Sequence, residues 1–414
     1  MFSDRTSWRL AQNRFTQAVE EARSRGACLL DLTASNPTRV GLQYDSDAIL
    51  GSLNSPRALD YDPQAKGILE ARQAVSRYYA ANLPGQASTK EVDPERIILT
   101  ASTSEGYSYV FRLLCNAGDE LLVPKPSYPL FEFLADLQDV KLVPYPLIYD
   151  HGWQMDFHSL EKAVKLRTRG VVLVHPNNPT GSYVHAAELH SLNAFCRSHS
   201  LALIVDEVFL DYSLSPSKND HVGTAAIGCP DERSSPASPA SSFVLNGDVL
   251  TFTLSGLSKI SALPQMKVAW IVTGGPKSQV DPAMARLEII ADTYLSMNAP
   301  IQWAVPTILD QRRSIQAQLM DRVRQNLAEL DRQLATQKLC QRLHLEAGWY
   351  AVLRVPVTRT DEDLAIELVR EKSVLTHPGH FYDFETDGYL VLSLISPAEE
   401  FAEGCRRMLQ YVNS

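Results

Sequence analysis

Short apolar runs rich in Val, Ile and Leu alternate with longer amphipathic stretches through the middle of the chain. Runs such as VVLVH and LALIV are short and almost continuously apolar, which is typical of parallel strands buried on both faces. The alternation therefore predicts an α/β fold built around one mostly parallel sheet. Seven strands are predicted, at 96–100, 120–123, 141–144, 170–175, 201–205, 249–254 and 266–272.

Helical periodicity fills the gaps between these runs and continues after them. The predicted helices lie at 68–80, 104–114, 187–198, 281–294, a long stretch within 301–337, and 361–371. We expect an N-terminal segment, 1–47, that packs on a small domain, a large domain over 48–297, and a small α/β domain over 298–414. Residues 213–248 are rich in Ser, Pro and Gly, which predicts a long surface excursion from the large domain.

Composition excludes several classes of protein. The 414 residues are 45% hydrophobic and 21% charged, as in ordinary globular proteins, and 39 basic against 48 acidic residues give a net charge of −9, unlike a nucleic-acid binder. No apolar run is long enough to span a membrane, and the N-terminus lacks the apolar core of a signal peptide. Six scattered cysteines form no metal or disulfide pattern, so we expect no metal site and a cytoplasmic location.

Two charged residues stand at the ends of predicted strands. Lys259, in SGLSK, follows the strand at 249–254, and a lysine with a lowered pKa can act as a nucleophile. Asp206 ends the run LALIV, at the sheet edge where open α/β sheets bind ligands. Taken alone, the lysine is more often a solvated surface charge, and the aspartate reads equally well as a helix cap.

Two further motifs occupy the same edge. Asn178 lies in NNPTG after the run VVLVH, although NPTG alone is also a common turn. Ser102, Thr103 and Ser104, in LTASTSEGY, stand where a strand ends and a helix begins. Backbone and hydroxyl donors at a helix N-terminus suit a phosphate, and equally an ordinary N-cap.

Together, in this order, the four motifs resemble the class I/II aminotransferases, which are pyridoxal-phosphate (PLP) enzymes of fold type I. The resemblance runs from DLTASNPT near the N-terminus to DGYLVLSLISP near the C-terminus. It implies a large PLP-binding domain with a seven-stranded sheet between helices, a smaller α/β domain, and a homodimer that shares its active sites. The implied activity is ping-pong transfer of an amino group between a small-molecule donor and a 2-oxo acid.

The resemblance also implies roles for single residues. Lys259 matches the lysine that forms an aldimine with PLP and moves the substrate proton, and Asp206 matches the carboxylate that pairs with the pyridine nitrogen. Asn178 matches the residue that bonds the ring's 3-oxygen, and Tyr128, in PSYPLF, the aromatic ring that stacks on the cofactor. Ser102, Thr103 and Ser104 fall at the phosphate site, and Tyr61 matches a tyrosine that reaches the phosphate of the neighbouring subunit.

Two departures concern the cofactor. The family commonly has DEVY where this chain has DEVF, so Phe209 cannot donate a phenolic hydrogen bond to the 3-oxygen. That bond favours the deprotonated imine, so we predict that Phe209→Tyr lowers the aldimine pKa in a spectral titration; an unchanged pKa would contradict this. Lys267, in PQMK, replaces the family's arginine, which keeps the charge for the phosphate but loses the bidentate fork. A lysine that points to solvent is the alternative.

The third departure concerns the substrate. The family pattern G-Y-x-R-L-S holds an arginine that binds the substrate carboxylate, whereas this chain has Val391 at that place. A buried carboxylate needs a partner, so either another group supplies the charge or the substrate is not an ordinary α-amino acid. Candidates for substrate binding are Ser35 and Arg39, in and just after the SNPT loop, and His380 in HPGHFYDF.

Two alternatives to transamination stay open. The same fold and cofactor support decarboxylation, elimination by a lyase, or an oxygen-dependent oxidation. A non-catalytic scaffold descended from such an enzyme is the other alternative, which the lost arginine favours and the four intact motifs oppose.

Overall fold

The computed structural model describes residues 1–8, 10–82, 91–128, 131–214, 242–295 and 297–414. The strands are β1 Leu30–Asp31, β2 Ile97–Thr100, β3 Glu120–Lys125, β4 Lys141–Tyr149, β5 Trp153–Met155, β6 Thr168–Val174, β7 Ala202–Asp206, β8 Thr251–Gly256, β9 Ala269–Gly274, β10 Gln341–Arg342, β11 Tyr350–Arg354, β12 Val374–Leu375, β13 His377–Pro378 and β14 Tyr389–Ser393. The helices are α1 Arg14–Ser24, α2 Ser46–Ser52, α3 Leu69–Asn82, α4 Thr103–Leu114, α5 Phe131–Asp136, α6 Phe157–Ala163, α7 Ala186–His199, α8 Leu257–Ile260, α9 Lys277–Tyr294, α10 Ala299–Leu334, α11 Asp361–Glu367 and α12 Ala398–Val412. No helix in these ranges is both long and apolar enough to cross a membrane.

The large sheet has the strand order β2-β9-β8-β7-β6-β3-β4-β5. All seven predicted strands are present in it, and neighbouring strands are parallel from β8 to β4. Strand β9 runs antiparallel to both β2 and β8. The sheet has eight strands rather than the predicted seven, because the three-residue β5 pairs with the end of β4 and is too short to leave a pattern.

Both faces of this sheet are buried, as the continuous apolar runs predict. In β7, Ile204 packs on one face with the apolar residues of α4 and α9. Leu203 and Val205 pack on the opposite face with Leu192 and Phe195 of α7. The strands therefore form a central layer between helices, and only the strand ends are free to bind a ligand.

The second unit is a four-stranded antiparallel sheet in the order β10-β11-β14-β13. Helix α10 is 36 residues long, about 54 Å at 1.5 Å per residue, and joins this unit to the large sheet. Its first half packs through Ile308 in the core beside β2 and β9, and its second half through Leu319 in the core of the small sheet. The expected boundary at 298 thus falls at the start of a helix that belongs to both cores.

The N-terminal segment contacts both units. Helix α1 packs through Phe15 and Val19 against Ile366 of α11, on the side of the small sheet. Ahead of it, Trp8 donates a hydrogen bond to Asp136 of α5 over 2.8 Å. The segment expected to pack on the small domain therefore also contacts the large one.

The Ser- and Pro-rich excursion lies mostly outside the described residues, which omit 215–241. The chain is anchored at residues 242 and 243 by Glu207. Both oxygens of the Glu207 carboxyl accept hydrogen bonds, one from the Ser242 hydroxyl and one from the Phe243 N–H, each over 2.6 Å. Glu207 is buried, and burial raises its pKa to about 8. At neutral pH this carboxyl is protonated in the folded protein.

We predict that Glu207 makes the folded protein less stable as the pH rises. Its folded pKa of about 8 exceeds the ordinary value of 4.5, so unfolding releases a proton in that window and the free energy of unfolding falls with rising pH. Glu207→Gln removes the titration. Its amide oxygen can still accept the Phe243 N–H, and its NH2 group can donate to the Ser242 hydroxyl oxygen, which reverses the direction of that bond. Between pH 5 and 8 the wild type should lose on the order of 3 kcal/mol relative to the variant in urea titrations. Parallel pH profiles for the two proteins would contradict this.

Candidate active site

The candidate residues come together because five parallel strands end at one edge of the large sheet. Lys259 follows the end of β8, Asp206 ends β7, and Asn178 follows β6. Tyr128 follows β3, and the Ser102 loop follows β2. Carboxyl ends of parallel strands meet at one edge, so the topology gathers residues that are up to 157 positions apart in the sequence.

Lys259 lies in a pocket of aromatic rings. Its Nζ is 4.9 Å from the ring centroid of Trp349 and 5.5 Å from that of Phe209. Burial lowers the pKa of the amine to about 8, which the nearby Asp206 carboxylate opposes. The Tyr212 hydroxyl donates a hydrogen bond to the Lys259 carbonyl oxygen over 2.6 Å. Near neutral pH this amine can therefore both gain and lose a proton.

Asp206 is held by two donors. Its Oδ1 accepts the backbone N–H of Val208 over 3.0 Å, and its Oδ2 accepts the Tyr107 hydroxyl over 3.2 Å. Burial raises the pKa of Asp206 to about 6, against these hydrogen bonds and the charge of Lys259. The carboxylate is therefore ionised at neutral pH and fixed in orientation, beside a buried amine.

Asn178 lies in the turn after β6 and is buried, and its Oδ1 has no hydrogen-bond partner among the described residues. A buried amide oxygen without a partner is costly in a finished protein interior. The turn around it is rigid, because the Thr180 hydroxyl donates to Asn177 over 3.1 Å and contacts the Ser182 hydroxyl over 2.8 Å. An orphaned polar atom in a rigid turn indicates a position that a ligand completes.

Gly181 closes the same turn and has no room for a side chain. Its φ of +66° is in the left-handed region, and a Cβ would overlap with the Leu345 side chain and the Ala347 carbonyl oxygen. Gly181→Ala should therefore lower the free energy of unfolding by about 3 kcal/mol in urea titrations. Gly26→Ala is the matched control, since Gly26 has a φ of +77° and open space around it, and should cost about 1 kcal/mol. Equal losses would show that the close approach is unimportant.

The Ser102 loop is used as a helix cap. The Ser102 hydroxyl accepts the Glu105 N–H over 3.1 Å, and the Glu105 carboxylate accepts the Ala101 N–H over 2.6 Å. The first bond makes Ser102 the N-cap of α4, and the second fixes the residue before it. The helix-cap interpretation of the motif is therefore confirmed, and the phosphate site stays a prediction. Thr103 and Ser104 form the first turn of α4, where backbone N–H groups have no partner within the helix.

Lys267 lies at the same edge. Ala269 pairs with Thr100 of β2 on one side and with Gly256 of β8 on the other, so Lys267, two residues earlier, stands between the capped loop and Lys259. Its side chain is exposed and its φ is +53°. The described residues offer it no ion pair, and an anion at this edge would meet its charge.

The two tyrosines differ in their surroundings. Tyr128 is 41% exposed, and burial and the Asp206 charge both raise its pKa, so its ring lies near the carboxylate. Tyr61 is 83% exposed and lines a surface groove with Trp303. No contact among the described residues joins Tyr61 to the Lys259 pocket of its own chain.

The three candidates for substrate binding are all exposed. Ser35 and Arg39 belong to a loop fastened to the small sheet by the Ser393 hydroxyl, which donates to the Ala34 carbonyl oxygen. His380 packs against Phe381 with ring centroids 4.7 Å apart. No contact among the described residues brings any of the three to Lys259.

Val391 is fully buried in the small sheet, in register with Val352 and His377. Sequence reasoning missed the residues that the small sheet brings to the pocket: Trp349, Tyr350, His377 and Tyr382. No motif marks Trp349 or Tyr350, whereas His377 and Tyr382 stand inside the quoted HPGHFYDF, and Tyr107 stands inside the quoted LTASTSEGY.

A mostly parallel sheet that carries a lysine, an aspartate and an asparagine at one edge, next to a small antiparallel sheet, is the fold of the type I PLP-dependent enzymes. The model of the family described as aminotransferase class I and II matches residues 51–407. The chain therefore belongs to the class I/II aminotransferase family, as the motifs indicated.

Known relatives agree with this placement. The chain is 30% identical to the glutamate-pyruvate aminotransferase AlaA of Escherichia coli (strain K12) over 291 residues, 70% of this chain and 65%, slightly under two thirds, of that enzyme. It is 26% identical over 409 residues to an alanine aminotransferase of Mycobacterium tuberculosis (strain H37Rv), covering 96% and 89% of the two chains. The crystal structure of an aminotransferase from Escherichia coli matches with a TM-score of 0.82 at 22% identity, covering 100% and 98%, which supports the fold.

Proposed function

We propose that this protein is a PLP-dependent aminotransferase that exchanges an amino group between an amino acid and a 2-oxo acid by a ping-pong cycle. One observation carries the proposal: the half-buried Lys259 amine, covered by two aromatic rings, stands near an Asp206 carboxylate that two hydrogen bonds hold in one orientation. Burial lowers the pKa of that amine to about 8, which suits a group that takes up and releases a proton. Family membership and the names of the relatives support alanine or glutamate as donor and pyruvate or 2-oxoglutarate as acceptor.

The residues present fit PLP. Lys259 offers the amine that an aldehyde requires, and Asn178 offers a buried side-chain amide whose NH2 group is the part that can donate to a ring oxygen. Asp206 offers a negative charge for a ring nitrogen, and Tyr128 an accessible ring face. Ser102, Thr103, Ser104 and Lys267 offer helix-terminal donors and a cation for a phosphate, although Glu105 adds a negative charge to that end. When bound, PLP supplies an aldehyde and a conjugated ring that withdraws electrons from the substrate.

The protein's own groups would then move one proton and keep water away. Lys259 could take up at Nζ the proton that leaves the substrate α-carbon and later give it up again, because its pKa of about 8 is close to neutrality. The rings of Phe209 and Trp349 cover the amine and exclude water from it. Asp206 stays ionised and fixed by Val208 and Tyr107 throughout.

A homodimer and a cytoplasmic location belong to the same proposal. The exposure of Tyr61 supports a role in a second subunit, since the residue is accessible and remote from its own pocket. The free cysteines among the described residues support a reducing compartment.

The experiment combines covalent trapping with a product assay. Protein saturated with PLP is reduced with borohydride and mapped by mass spectrometry, and we expect a pyridoxyl group on the peptide with Lys259. Unreduced protein is then given alanine or glutamate with a 2-oxo acid, and we expect the amino group to appear on the acceptor. Absence of the adduct overturns the proposal. Release of carbon dioxide or ammonia, or consumption of oxygen, would identify a different PLP reaction, and a bound cofactor without any response would identify a scaffold.

A further inference from the structure

Two tyrosines, Tyr350 and Tyr382, lie between the Lys259 pocket and the small sheet, and together they are called the tyrosine wall. The ring of Tyr350 is 6.3 Å from that of Phe209, and the ring of Tyr382 is 6.4 Å beyond Tyr350. Tyr128 acts electrostatically on both of them and raises the pKa of each hydroxyl further above the effect of burial. The wall therefore brings neutral O–H groups close to the aromatic rings that contact the amine.

His377 contacts the second tyrosine of this wall. Its Nδ1 is 3.1 Å from the Tyr382 hydroxyl oxygen, which makes the imidazole and the phenol one hydrogen-bonded unit. In the small sheet His377 pairs with Val391, and directly opposed residues of antiparallel strands share a face. The imidazole therefore neighbours position 391, where the chain has an uncharged side chain.

The charges around His377 can be named element by element. From β1, the Asp31 carboxylate favours the imidazolium, while burial opposes it and lowers the pKa of His377 to about 4. From α11, the Asp361 carboxyl accepts the N–H groups of Gly388 and Tyr389 at Oδ1, whereas its Oδ2 is buried and has no hydrogen-bond partner among the described residues. On its own turn His377 meets the Tyr382 hydroxyl and the Phe381 ring. In the absence of a bound anion, His377 is therefore neutral at neutral pH.

Two lysines lie near this wall, and each already has another partner. In the part of the chain that the structure describes, Lys259 is the only cation in contact with the rings of Phe209 and Trp349. Lys125, on the strand before Tyr128, is 3.7 Å from the Asp383 carboxylate and is neutralised by it. A carboxylate brought against this wall needs both a donor and a compensating charge.

We propose that the Tyr382 hydroxyl binds the carboxylate of the substrate and that His377 takes up a proton from solvent as this anion binds. Tyr382 then turns its O–H from the imidazole to the carboxylate, and the new N–H of His377 donates to the tyrosine oxygen. The unit supplies in two steps the hydrogen bond and the positive charge that a single guanidinium would supply. The inference rests on the proposed function in one respect, that the substrate is an amino or oxo acid.

The test uses a carboxylate that cannot react. PLP-saturated protein is titrated calorimetrically with 3-phenylpropionate, which has neither an amino nor an oxo group, and with its neutral amide. Two buffers of different ionisation enthalpy report the protons taken up near pH 6. We expect proton uptake with the acid and none with the amide, and an affinity for the acid that weakens as the pH rises.

Variants assign the effect to the two residues. His377→Asn and Tyr382→Phe should each weaken binding of the acid by at least about tenfold and abolish proton uptake, while binding of the amide stays the same. Retained amide binding shows that the variants are folded. His151→Asn, at an exposed turn, is the matched control and should behave as wild type.

Three results would overturn the inference. The wild type could bind the acid without taking up a proton, or bind the acid no more tightly than the amide. The third such result is that both variants bind the acid as tightly as the wild type. Because 3-phenylpropionate binding requires no turnover, these results are independent of the amino-transfer assay and of the pyridoxyl adduct on Lys259.

Discussion

Lys259→Ala is expected to lower kcat by at least about 10⁴-fold, because it removes both the covalent attachment point and the proton carrier. The protein should still fold and bind PLP reversibly, since Asp206, Asn178 and the Ser102 loop are unchanged. The measurement is amino transfer from alanine or glutamate under saturating PLP, together with borohydride trapping, which should give no adduct.

Two further variants separate chemistry from charge. Lys259→Arg keeps a positive charge but cannot lose its proton near neutral pH, so it should be as inactive as the alanine variant. Lys277→Ala removes an exposed lysine whose one ion pair among the described residues is with Asp281, and its activity should match that of the wild type. Activity of Lys259→Arg within about tenfold of wild type would contradict the assigned proton transfer.

Asp206→Asn is expected to lower kcat by about 10²- to 10³-fold, as found when one oriented electrostatic group is removed from an active site. The amide can still accept the Val208 N–H, so the position keeps its shape while the negative charge is lost. Without that charge the ring nitrogen of a bound cofactor would not be held in its protonated form. The measurement is kcat under saturating PLP.

A second readout follows from the linkage between the two groups. The Asp206 charge raises the pKa of Lys259, so its removal should lower the pKa of that amine below its value of about 8. The pH dependence of acylation of Lys259 in the PLP-free protein measures this shift. Asp248→Asn, at an exposed carboxylate away from the pocket, is the control. An unchanged pKa in Asp206→Asn would show that the two side chains do not interact.

The positions of the main strands and of the main chemical groups could be predicted from the sequence because each depends on local pattern. The run LALIV is apolar at every position and ends in Asp206, so both the strand and the residue at its end are legible without a structure. The run VVLVH leads to Asn178 in the same way. The short strand β5 and the helix α12 were not predicted from the sequence. For β5 the reason is that three residues are too few to show a periodicity.

The candidate site was predictable only on the side of the large sheet. Ser35, Arg39 and His380 were natural candidates to replace a missing charge, yet all three side chains are exposed. His377, three residues before His380, is the histidine that bonds Tyr382. Which of two nearby histidines turns inward depends on the strand register of β13, and no spacing in the sequence reports that register.

By itself, the sequence determined the fold class, the seven main strands, the family, and the lysine, aspartate and asparagine at the sheet edge, because these follow from short patterns. Only the tertiary structure decided what surrounds those groups. Trp349 against the amine, the tyrosine wall and His377 beside Val391 come from a unit that is distant in sequence. Contacts of that kind depend on how two cores pack around α10, and burial there sets the pKa values that give Lys259 and Asp206 their chemistry.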